Sequence, residues 1–139
     1  MSRRQLINAR TTLLVAILST SVLAAAHAAE RRTVTASGRW RVSIAQPATG
    51  CRWSGHVAMD QRGTTLNGRG AARRVEGARC PSSLAGKISG SVQGVRVRFG
   101  FAFGRLGQAS FVGRIDAGGG GMSGSWATRS ASGDWSATR

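Results

Sequence analysis

From residue 38 onward the chain alternates apolar and polar residues one by one. Trp40, Val42 and Ile44 alternate with Arg39, Arg41 and Ser43. Trp53, Gly55, Val57 and Met59 alternate with Arg52, Ser54, His56 and Ala58. Val95, Val97, Phe99, Phe101 and Phe103 alternate with Arg96, Arg98, Gly100 and Ala102, and Phe111, Gly113 and Ile115 with Val112 and Arg114. A period of two is the signature of a strand with one buried face. Turn signals separate the runs: "PATG" at 47–50, "QRGT" at 61–64, "QG" at 93–94, "RLGQ" at 105–108, "AGGGG" at 117–121 and "SASG" at 130–133. The pattern predicts eight strands, over about 38–46, 51–60, 64–72, 86–93, 95–104, 108–116, 121–128 and 132–138. Tight hairpins join most of them, except for the long loop over 73–86, which begins "RRVEGARCPSSLA".

Glycine recurs inside these runs, in "WSGHV", "ISGSV", "FVGRI" and "MSGSW". It always shares parity with the large apolar residues, as Trp53, Gly55 and Val57 do. A glycine inside a strand costs roughly 0.5–1 kcal/mol against alanine, so something needs the space. A small, strongly coiled barrel does, because its narrow interior alternates large and small residues. Gly124 is expected to make room for a tryptophan from across the barrel. The fold class is therefore all-β: an eight-stranded antiparallel up-and-down (meander) barrel.

"SGRW", "WSGHV", "LNGRG", "ISGSV" and "MSGSW" resemble the repeated strand signature of avidin-like and lipocalin-like (calycin-type) barrels. Gly38 and Trp40 match the Gly-x-Trp of the first lipocalin strand. The resemblance implies the architecture. Biotin binding does not carry over, since avidins use tyrosine among their ligand contacts and this chain has none.

The first residues change the picture of where the barrel works. "MSRRQLINAR" is basic, "TLLVAILSTSVLAAA" is apolar, and "AHA" at 26–28 has the small-x-small form of a cleavage site. The domain organisation read from this is a signal peptide over 1–28, a linker over 29–37 and the barrel over 38–139. The apolar stretch of about fifteen residues is short of the roughly 20 a membrane span needs. A periplasmic or secreted bacterial protein is expected. Two cysteines, Cys51 and Cys80, then favour one disulfide.

Residues 29–139 hold 17 of the 20 basic residues and all 5 acidic ones, a net charge of about +12. Outward parity carries Arg39, Arg41, Arg52, Arg69, Arg96, Arg98, Arg114 and Arg129, which argues against a lipid-facing barrel wall. Arg73, Arg74 and Arg79 fall in the expected long loop. Such a field attracts polyanions. Arg39, Arg41, Arg73, Arg74, Arg96, Arg98 and Arg114 are the candidate polyanion contacts, with an anionic envelope polymer or lipid head group as the expected partner. Nucleic acid is disfavoured, because the aromatic residues point inward and leave no stacking platform. Trp40, Trp53, Trp126 and Trp135 are the candidate contacts for the alternative, a small apolar ligand in the barrel mouth. A third reading is an enzyme inhibitor acting through the 73–86 loop.

Catalytic chemistry has little to draw on. His56 is the single histidine after the leader and reads as a surface residue. Asp60, on the same face, lies four residues on, roughly 13 Å along a strand. No phosphate loop, nucleophile elbow or zinc spacing is present. A non-catalytic binding protein without metal or cofactor is expected.

Overall fold

The computed structural model describes residues 34–139. The two-residue period becomes eight strands: β1 (Gly38–Gln46), β2 (Cys51–Arg62), β3 (Thr65–Glu76), β4 (Ser83–Gln93), β5 (Arg96–Ala102), β6 (Gln108–Ile115), β7 (Gly121–Ala127) and β8 (Ser132–Thr138). Each pairs antiparallel with the next, and β8 returns to β1 with Ile44 opposite Trp135, closing the barrel. The expected signal peptide, and the linker up to residue 33, lie outside the described residues. Residues 34–37 pack on the barrel: Ala36 is buried and its N–H donates to Oε1 of Gln61 at 2.8 Å.

The long loop over 73–86 is shorter than expected. β3 runs on to Glu76 and β4 starts at Ser83, leaving 77–82 as the connection. The cause is Arg74. It has inward parity, where an arginine would end a strand, but it sits at the barrel rim. Its guanidinium donates to the carbonyls of Ala78, at 3.3 Å, and of Cys80. The backbone N–H of Arg74 donates to Ser82 O at 2.9 Å. The loop thus satisfies the charged group that the strand presents. The expected Cys51–Cys80 disulfide is formed, with Cα atoms 6.3 Å apart, and ties this loop to the start of β2.

The inward glycines have a backbone explanation. A Cβ on Gly55 would fall on the carbonyl oxygen of Ala71 in the next strand, and one on Gly90 on that of Arg98. The strands coil so sharply that neighbouring backbone occupies the inner side of each such position. Gly124 follows this rule: its Cβ would meet Val112 O and sit 2.5 Å from Gly113 Cα. The nearest obstacle is thus backbone rather than an indole, although Trp135 is the register partner of Gly124 on β8. Direct room for indoles is made at two other glycines. A Cβ on Gly113 would lie 2.7 Å from Cζ2 of Trp135, and one on Gly133 2.8 Å from Nε1 of Trp126.

The space so formed is filled. Phe99 stacks on its cross-strand partner Phe111, with ring centroids 5.0 Å apart, and Trp135 meets Phe99 edge-on at 5.5 Å. Phe101 lies over Gly70 of β3, whose missing side chain gives it a place. The void left among Val42, Val57, Phe99, Phe111 and Trp135 is about 10 Å³. That is at the lower limit for one water molecule. No buried side-chain nitrogen or oxygen among the described residues lacks a partner.

Candidate functional site

The four tryptophans do not converge. Trp40 is fully buried at one end of the barrel, where its indole N–H donates to Ala36 O at 2.9 Å. Arg139 covers it, with Cζ 4.1 Å from the ring centroid. The same guanidinium donates to Gly119 O at 2.7 Å, to Ser37 O at 2.6 Å and to Thr35 O. This end is latched shut. Trp135 lies in mid-barrel and shares its N–H between Val112 O at 3.1 Å and Ser125 O at 3.2 Å. Trp53 and Trp126 stand at the other end. Their N–H groups donate to Pro81 O at 2.8 Å and Ala45 O at 3.0 Å. All four indole donors are therefore committed to backbone carbonyls.

The open end does form a pocket, of about 250 Å³, lined by Trp53, Trp126, Leu84, Phe103, Leu106 and Phe111 among others. Leu106 stands at its rim on the Gly104–Leu106 turn and is 57% exposed. Gln46, Thr128 and Ser130 supply its polar edge. Two of the four expected tryptophan contacts belong here, and Trp40 and Trp135 do not.

The outer wall carries the charge. Residues 34–139 include 15 arginine and lysine side chains and 4 acidic ones. Only Arg52, with Glu76 at 3.6 Å, and Arg62, with Asp60 at 3.0 Å, have a carboxylate within 4.0 Å among the described residues. Arg39, Arg41, Arg73, Arg96, Arg98 and Arg114 are exposed on strands, as their parity requires. Arg73 is thus a wall residue of β3 rather than a loop residue. Arg74 is half-buried and engaged by the 77–82 loop, so it leaves the set of anion contacts.

Register sorts the remaining arginines. Arg69 of β3 faces Lys87 of β4 directly. Arg96 of β5 faces Arg114 of β6, and Arg98 faces Val112. Arg96, Arg98 and Arg114 line one side of an open concavity of about 700 Å³ on the outer wall. It also includes Asp134 and Ser125, register partners on β8 and β7 that the sequence did not single out. His56 is exposed on β2 opposite Arg41. Among the described residues no three His, Cys, Asp or Glu side chains gather as metal ligands would. No helix there is long and apolar enough to cross a membrane. No protein-family model matches the chain, and no curated protein matches it significantly.

Proposed function

We propose that this barrel is a non-catalytic binding protein of the bacterial periplasm or exterior. It contacts anionic envelope components or other polyanions through the arginines of its outer wall. The observation that supports this is the shortage of internal partners: 13 of the 15 basic side chains have no carboxylate within 4.0 Å among the described residues. Arg74 and Arg139 among these are engaged by backbone carbonyls; the exposed strand guanidiniums are held on a rigid sheet, pre-organised for carboxylate, sulfate or phosphate groups. The disulfide suits an oxidising compartment. Titration with dextran sulfate and with neutral dextran of the same length tests this. Binding to the sulfated polymer alone is expected; equal binding to both would remove the arginines as the cause.

The open-end pocket favours a second reading, a small apolar ligand held between Trp53 and Trp126 under Leu106. Native mass spectrometry of the protein taken from its own envelope fraction checks it. A retained small molecule would place a function at the mouth, and a bare mass would leave the outer wall as the site.

A further inference from the structure

The concavity beside Arg96, Arg98 and Arg114 does not end on β7. A second one, of about 610 Å³, shares Val112, Ser125 and Asp134 with it and continues towards Ser110 and Ser132. Together they form one trough. From Ser91 on β4 to Asp134 on β8 it crosses four inter-strand steps of about 4.8 Å, roughly 19 Å along the sheet. Its floor includes Gly113 and Gly124, which face each other across β6 and β7 and carry no side chain. A trough of this length suits a chain better than a single small ion.

Its two ends differ in chemistry. At one end Arg96 and Arg114 are direct cross-strand partners, and Arg98 is two residues along β5. Like charges directly opposite destabilise a sheet. No carboxylate among the described residues lies within 4.0 Å of any of the three to offset this. A bound anion would. Further along, the lining turns to the hydroxyls of Ser123, Ser125 and Ser110 and the carboxylate of Asp134. A carboxylate repels a uniform polyanion but accepts hydrogen bonds from sugar hydroxyls. The one aromatic residue in the lining, Trp126, is 7% exposed with its N–H bonded to Ala45 O, so bases find no stacking surface.

We propose that the trough binds a segment of acidic polysaccharide. Its sulfate or carboxylate groups lie between Arg96, Arg98 and Arg114, and neighbouring sugar hydroxyls lie along Ser125 and Asp134. This rests on the polyanion reading above and adds to it a place and a class of polymer.

Two triple variants with equal loss of charge test the place. Arg96→Ser, Arg98→Ser and Arg114→Ser empty the trough; Arg79→Ser, Arg105→Ser and Arg129→Ser remove three exposed arginines from the connections between strands, outside the trough and the strand wall. All six side chains are exposed, so both variants are expected to fold, and their melting curves check this. The trough variant should bind dextran sulfate about tenfold or more weakly, and the control variant within about threefold of the parent. Equal losses would overturn the trough while leaving the polyanion reading in place. No binding of dextran sulfate by the parent would overturn both. A poly-dT oligonucleotide of matched charge tests the class, and tighter binding of it than of dextran sulfate would overturn the sugar assignment. Asp134→Asn should strengthen oligonucleotide binding more than dextran sulfate binding; an equal gain for both would overturn the contact to sugar hydroxyls.

Discussion

Single glycines decide whether the barrel closes. At Gly133 an added methyl group would fall on Ala45 O, the acceptor of the Trp126 indole N–H, and lie 2.8 Å from that nitrogen. At Gly113 it would meet Ser123 O and the Trp135 ring. Neither obstacle is a flexible side-chain tip. Gly133→Ala and Gly113→Ala should each destabilise by about 1–3 kcal/mol, as overpacked cores do. Gly118→Ala, where nothing lies within 4 Å, should stay within about 0.5 kcal/mol of the parent in the same denaturant titration. Equal effects at the three positions would contradict the close-approach account. Arg139 is the other decisive residue. It joins the strap at Thr35 and Ser37 to the β6–β7 turn at Gly119, and it covers Trp40. Arg139→Ala should cost about 1–3 kcal/mol and expose the Trp40 indole to an aqueous quencher. Unchanged quenching would show that the latch is not what seals this end.

At the scale of elements, the strands were legible because one face of each is buried and the other is wet. Inward positions such as Val97, Phe99 and Phe101 are buried, and their neighbours Arg98 and Ala102 are exposed. The end of β3 was not legible. Nothing local shows that the inward-parity Arg74 will find carbonyls six residues later in the loop. The trough was hidden for a related reason. Strands drawn at 95–104 and 108–116 leave the β5–β6 register open, because one residue at the turn shifts every pairing. The Gly104–Leu106 turn fixes Arg96 opposite Arg114. Asp134 comes from β8, two strands beyond β6; the meander order places the strand there, but not the register that sets Asp134 opposite Ser125. The candidate tryptophans were read correctly as inward, but inward parity says nothing about depth. That is why Trp40 and Trp135 proved remote from the mouth. The disulfide joins two cysteines 29 apart in sequence and ties the β3–β4 connection to the start of β2. By the loop-entropy argument it contributes about 3–4 kcal/mol, so reduction should lower the melting temperature by on the order of 10 °C or more. An unchanged melting temperature would show that the loop is held by Arg74 alone.

For the whole molecule, the interior is closely packed and the wall is charged. Mid-barrel holds only about 10 Å³ of void, the larger pocket of about 250 Å³ lies at the open end, and the indole donors are spent on backbone carbonyls. The wall keeps a large excess of unpaired positive charge in fixed positions. Binding driven by that wall releases counterions and must weaken as salt rises. The most direct measurement is the Kd for dextran sulfate across a series of salt concentrations. A steep linear fall of log affinity with log salt is predicted, with a slope shallower by about 1 for each trough arginine removed. Affinity that does not change with salt would contradict the account.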